Sequence, residues 1–487
     1  MRPGMIVASA ILALGLHGHA FAVEVNEQGA RTLKSDLARM LSDDLVKSGF
    51  VTVKPAKDVY EVTFDLAKFL DKISSSDFSI NGLKPLTMLV TPLANNLWNI
   101  AGNADVNLSS QSRLGHGPIT TTDYAVDALV YSGVFDPAIS YMRSADLSAK
   151  QMRLTSVTGP ERLEASAAGM SYKLAAIDSA TAGRVDFHAN GSLPSFEEKI
   201  TSPSAPDMAI RADSLDFNAS ATEVPIRQVR DLVRFVFEHI KAKTLSRKGS
   251  DRFETLARNA LPVFATFQEN VAATNLSVAT ENGQGQVRKL DYSLKTNGVV
   301  NAARIDFGLN AEDISLNSAL VPDTFAPLVP QAASLQVDVP NMNFADAMDV
   351  MLHADFSRSP PLTKEQSDRL GSLIFPEDKL VVELGKLQAK SPVYDIDVSG
   401  KMTADIRRRG NYTLQATILV GDYDKAIAFI QDAAKTNPKL TQVSFGMLMA
   451  KGFAKTDPDG RQRWEVAVGG DGTVTVNGQV MKTAGAQ

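Results

Sequence analysis

The chain has 487 residues and contains no cysteine, only two tryptophans and six histidines. Without a thiol there can be no disulfide, no thiolate metal site, no cysteine nucleophile and no lipid-bearing cysteine. Neither sign of charge dominates: 50 Lys plus Arg stand against 55 Asp plus Glu, a net charge of -5. That balance lacks the broad basic surface that nucleic acid requires, so nucleic acid is not expected as a partner. No G-x-x-x-x-G-K-[ST], H-E-x-x-H or G-x-S-x-G is present, and the nearest, GMSYK at 169–173, lacks the second glycine. No cofactor and no metal are therefore expected, and no reaction can be read from the chain.

What is there begins at the N-terminus. Arg2 precedes an apolar run from Met5 to Leu16, followed by Ala20-Phe21-Ala22. A basic start, a short apolar core and an A-x-A site are the three parts of a secretory signal peptide, with cleavage expected after Ala22. The run is shorter than the roughly 20 residues of a spanning helix, and no later segment is apolar enough for one. Export without cysteine suggests a periplasmic protein, long enough for two or three domains.

The dominant pattern in the rest is alternation. VYEVTFDL (59–66), Leu163–Leu174, VDFHA (185–189), MAIRADSLDFNAS (208–220) and NLSVAT (275–280) alternate apolar with polar residues. So do LDYSL (290–294), RIDFGLNAEDISLN (304–317), SLQVDV (334–339), YDIDVSGKMTADI (394–406) and NYTLQAT (411–417). This is the period of half-buried strands, and the NG, GQG, DPDG and GG signals between them favour hairpins. An α+β, β-rich fold follows: long, antiparallel, curved sheet with one apolar face and a few packed helices.

Helical spacing predicts a leading helix from Glu27 to about Lys47 and a pair at 226–249 and about 251–270. Shorter helices are expected at 344–352, 364–373 and 422–434. Four parts result: the signal at 1–22, a β-rich domain at 23–223, the helical pair at 224–274 and a second β-rich domain at 275–487. A loose echo of strand, proline and helix links 208–242 with 304–352, without a fixed period.

Two glycine motifs invite a functional reading. GGDG, Gly469–Gly472, runs into TVTVNGQVM, an alternating segment, whereas a phosphate cradle runs into a helix. It is read as a hairpin turn. TDPDGRQRW (456–464) offers Asp457 and Asp459 but lacks the closing Glu of a calcium loop, and is read as a turn. His116, His188, His239 and His353 have no partner at ligand spacing. A cleft gathering His116 or His188 with a serine and a carboxylate would mark a hydrolase of dispersed residues.

Two candidate surfaces remain. Ile305, Phe307, Leu309, Ile314 and Leu316 would line an apolar groove if the sheet face is open. Arg227, Arg230, Arg234, Lys241 and Lys243 give the first helix of the pair a cationic face for a partner or for peripheral membrane contact.

The closing strand pair, with Trp464, Val466, Gly472, Val474, Val476, Asn477 and Gly478, together with the long one-faced strands, resembles Gram-negative periplasmic families of YdgA-like and AsmA-like character. The resemblance implies a partly open sheet, an apolar groove for lipid and a role in the cell envelope. On it rests the expected function: a non-catalytic protein binding lipid or another apolar envelope component, the alternatives being a structural protein docking through its cationic helix and the hydrolase above.

Overall fold

The computed structural model describes residues 25–39, 41–74, 77–239, 242, 244–408 and 410–483. The expected signal peptide lies outside them, as do Lys241 and Lys243.

At the N-terminal edge, α1 (Glu27–Ala38) and α2 (Asp43–Lys47) precede β1 (Val51–Ala56) and β2 (Val59–Phe64). Then come α3 (Leu66–Ile73), β3 (Phe78–Asn81) and β4 (Leu86–Pro92). A long meander follows: β5 (Trp98–Arg113), β6 (Ile119–Asp136), β7 (Tyr141–Ala149) and β8 (Gln151–Thr158). It continues through β9 (Glu161–Ala167), β10 (Met170–Asp178), β11 (Val185–Ser202) and β12 (Ala205–Val224). Helices α4 (Ile226–Glu238) and α5 (Arg247–Asn259) lead to β13 (Thr266–Thr280), β14 (Gly283–Thr296), β15 (Ala303–Ser318) and β16 (Ala332–Met342). Helices α6 (Phe344–Leu352) and α7 (Lys364–Ile374) lead to β17 (Lys379–Lys390), β18 (Asp395–Asp405) and β19 (Tyr412–Gly421). The chain closes with α8 (Tyr423–Ala434), α9 (Leu440–Phe453), β20 (Lys455–Thr456), β21 (Gln462–Val468), β22 (Val474–Val476) and β23 (Gln479–Lys482).

Among the described residues all 23 strands belong to one sheet, and every pairing is antiparallel. The β-rich α+β class expected from alternation is therefore the observed one. The helical pair does not separate two sheets: β12 and β13, on either side of it, pair from Thr222↔Thr266 to Met208↔Thr280. The boundary expected at 274/275 falls inside β13.

Helix limits differ from the spacing where capping residues intervene. The leading helix is split because Ser42 caps a new one, accepting from the Leu45 N–H. The second helix of the pair starts at Arg247, where the Ser246 hydroxyl accepts from Gly249, and ends at Asn259. Pro262 follows, with no N–H to extend it, and Phe267, expected on that helix, lies instead in β13.

The long strands change phase near their middles. Ala128, Ser195, Asn275 and Asp313 sit inside β6, β11, β13 and β15 with φ near +50°. In the same band β7 gives way to β8 at Lys150, and β9 to β10 at Ala168 and Gly169. At one such point a side chain satisfies what the ladder loses: Asp105 accepts from the Ala128 N–H at 2.8 Å. At another, Asp213 accepts from the Asn275 side-chain Nδ2 at 2.6 Å. On β15 the apolar residues are odd-numbered before this seam and even-numbered after it, as with Leu309 and Ile314.

Burial is concentrated at the N-terminal edge. Leu33, Val51, Tyr60, Val62 and Val90 are fully buried, packed with Phe50, Trp98, Ile100 and Phe135. The whole chain nevertheless presents 28974 Å² of accessible surface, where a compact monomer of 52.3 kDa presents about 17,500 Å². The undescribed terminal residues are too few to supply that excess. A single-layer sheet with a largely uncovered face accounts for it.

Candidate binding face

Register places one apolar row straight across the sheet. Gly102 faces Tyr131, Tyr131 faces Leu147, Leu147 faces Tyr172, and Tyr172 faces Gly191. The row continues through Phe217, Val271, Tyr292, Leu309 and Leu335. Leu387, Val398, Ile418 and Trp464 complete it. Directly opposed residues point to the same side, so all of them share one face. The neighbouring row on the other face carries Ser148, Ser171, Ser192, Asp216, Asp291, Asn310, Ser334 and Asp397. One face is apolar and the other polar, as alternation demands.

Glycine in this row makes room for rings. A Cβ at Gly102 would meet the Tyr131 hydroxyl at 2.3 Å, and one at Gly191 would meet the Phe217 ring at 2.1 Å. The aromatic side chain lies down over the glycine of the next strand. Tyr172 and Phe217 stack at 6.2 Å, and Tyr292 meets Phe307 edge-on at 5.6 Å. Burial pushes the phenols of Tyr131 and Tyr172 above their ordinary pKa.

Of this row only Trp464 is buried; the rest are half-buried or exposed. Lateral neighbours shield them, but among the described residues no second layer lies on top. Leu309 is 37% and Leu387 42% exposed. At the N-terminal end the face deepens into a cavity of about 500 Å³, the size of small-molecule sites. Leu66, Leu83, Met88, Val106, Leu129 and Tyr131 line it, with Lys84 and Asp105 among its few polar groups. Leu129 and Tyr131 share it with Val106 from beyond the seam, so the apolar face continues across that line.

The five residues expected to line a groove all lie on β15. Leu309 is in the row; Phe307 and Ile305 pair with Val337 and Val339 beside it. Ile314 and Leu316 lie beyond the seam, opposite Val287 and Gly285. Tyr172 and Phe217 fall in the alternating segments 163–174 and 208–220, whereas Tyr131 and Leu147 lie in strands that alternation does not mark. Their signal exists, in Leu129, Tyr131, Gly133 and Phe135 for example, but small residues dilute it.

The cationic helix is committed elsewhere. Arg227 donates to the Ala138 carbonyl at 2.8 Å and Arg230 to the buried Ser140 hydroxyl at 2.9 Å. Arg234 pairs with Asp43 at 2.6 Å and Glu238 at 3.1 Å. These arginines fasten α4 to the β6–β7 turn and to α2. Phe69–Phe237 and Phe253–Phe356 contacts extend this line of helices along one end of the sheet.

Among the described residues no cluster could hold a metal, and neither His116 nor His188 bonds to a carboxylate. His353 instead sits beside Arg258, Asp349 and Glu254 on the helical surface. The GGDG segment is a turn: the Gly469 N–H donates to Thr473 O at 2.8 Å, Gly472 has φ +84°, and Val466 pairs with Val476. At the other glycine turn Asp457 and Asp459 pair with Arg463 and Arg461.

The polar face carries an ionic cluster that spacing did not reveal, where Arg304 meets Asp306, Asp338 and Glu383. Burial pushes the Asp338 carboxyl above the usual range, against the pull of Arg304 at 2.9 Å. A raised folded-state pKa means that the folded chain holds a proton that the unfolded chain has released. The stability it contributes is complete below about pH 4 and is lost as pH rises through the folded value. Asp338→Asn should therefore gain in urea midpoint relative to the parent between about pH 4 and neutrality. A difference that does not change with pH would refute this.

Comparison of the chain with protein-family models, with curated proteins and with solved structures gives no match.

Proposed function

We propose that this chain is an exported, non-catalytic lipid-binding protein that holds acyl chains along the apolar face of its sheet. The observation that carries the reading is the row from Gly102 to Trp464, apolar throughout and buried only at Trp464. Water against such a face is costly, and each methylene group laid on it would contribute about 0.8 kcal/mol. An extended hydrocarbon suits a face that runs from strand to strand across the sheet. The cavity lined by Leu83 and Met88 would receive a chain end. The N-terminal Arg2–Ala22 pattern and the resemblance to YdgA-like and AsmA-like families favour the periplasm as the place where this happens.

The test is native mass spectrometry of the mature chain, purified gently from periplasm, with lipid extraction alongside. Phospholipid in stoichiometric amount is expected. Well-folded protein that carries no lipid and takes none up from vesicles would overturn the proposal.

A further inference from the structure

Helix α9 departs from the design of the other helices. α5 shows the solvent a charged side, and α4 sets Arg227, Arg230 and Arg234 beside its exposed Val233, Val236 and Phe237, whereas α9, LTQVSFGMLMAKGF, holds a single charged residue, Lys451. It nonetheless lies at the surface, with Val443 47%, Phe445 64%, Leu448 46% and Met449 51% exposed. At about 100° per residue, these four side chains sweep roughly 220° of the circumference. The remaining side rests on protein: Ser444 is buried, the Tyr423 hydroxyl donates to Met447 O at 3.0 Å, and the Trp464 indole donates to Ala450 O at 2.8 Å. A helix apolar on the side facing water belongs against another apolar phase. Its 14 residues are too few for the roughly 20 that span a bilayer.

Charge indicates which phase. Between Lys435 and Lys455 there is no Asp or Glu, while Lys435, Lys439, Lys451 and Lys455 bracket the helix, in a chain whose net charge is -5. Three of these lysines pair with acids outside the segment, Asp432, Asp424 and Glu465. Their side chains are exposed, and exposed pairs of this kind hold weakly and can be exchanged. Lys439 makes no ion pair among the described residues.

We infer that α9 is a docking helix for an anionic phospholipid surface. It lies in the plane of the interface, with Val443, Phe445, Leu448 and Met449 among the acyl chains and the lysines at its ends on the phosphates. An isolated interfacial helix needs a polar side toward water. α9 does not, because that side packs on Tyr423 and Trp464. The indole beneath it also ends the apolar row, so docking sets one end of the binding face at the membrane. The inference does not depend on the sheet holding lipid.

Flotation of the mature chain with phosphatidylethanolamine vesicles, with and without phosphatidylglycerol, tests it. Binding is expected only to the anionic vesicles, weakening as salt is added. The double variant F445D/M449D should bind at least tenfold less while melting at the parent's temperature, since both side chains are exposed. Lys439→Glu should weaken binding without touching the apolar side. Absence of binding by the parent, or equal binding by F445D/M449D, overturns the inference. So does a dimer in sedimentation velocity that F445D/M449D converts to monomer, because a second copy would then cover the helix.

Discussion

Leu309→Glu is expected to lower the lipid that co-purifies with the protein at least tenfold and to leave the melting temperature of the delipidated chain within about 2 °C. Leu309 sits near the middle of the row, with Tyr292 on one side and Leu335 on the other, and is 37% exposed. A glutamate there can reach water when the face is empty, so the fold loses only lateral contact. It cannot reach water with an acyl chain lying across it, and the uncompensated charge then opposes binding. Delipidated protein is the proper reference, because a ligand that binds only the folded state raises the apparent stability of the parent. If the same face were a closed core, the variant would lose several kcal/mol and fail to fold. Retained lipid, or collapse of the empty protein, would each contradict the proposed function, for different reasons.

The local part of this face was legible in the chain. In RIDFGL the alternation of Ile305, Phe307 and Leu309 with Arg304, Asp306 and Gly308 appears in the structure as two faces of β15. Ile314 and Leu316 have the opposite parity, and the left-handed Asp313 between them and Leu309 is the residue that reconciles the two. What alternation does not carry is register. That Tyr172 lies opposite Gly191, and Gly191 opposite Phe217, depends on turns and strand lengths along the whole meander. Glycine here occupies positions that a periodicity count scores as breaks. The strands from Trp98 to Thr158 were obscured for the same reason, since serine, threonine and glycine fill many of their positions. Helix α9 left no amphipathic signature because its exposed side is apolar, with Phe445 and Met449, while Ser444 is the residue it buries. The cationic helix is the opposite case: the charges of Arg227, Arg230 and Arg234 are plain in the sequence, but Ala138, Ser140 and Asp43, to which they bond, are 89 to 191 residues away along the chain.

The largest effect on stability is expected away from the row, in Leu33→Ala, at about 3 kcal/mol. Leu33 is fully buried, in the larger of the two buried clusters, where α1 closes on the sheet. There α1 lies on β1, β2, β4 and β5, and the Trp98 indole donates to the buried Asp36 carboxylate at 3.2 Å while its ring meets Tyr60 edge-on at 5.9 Å. Removing the isopropyl group leaves a void that neither the ring pair nor the hydrogen-bonded carboxylate can move to fill. Leu387→Ala removes the same atoms from the apolar row, where Leu387 is 42% exposed, and should cost less than about 1 kcal/mol. Both can be read as shifts of the urea midpoint, with Trp98 fluorescence as the probe in a Trp464→Phe background. The comparison bears on the whole architecture. A large cost at Leu33 and a small one at Leu387 is what one closed edge and a long open face must give. Equal costs would mean that something covers the row even in the purified protein, and the excess of accessible surface would then need another explanation.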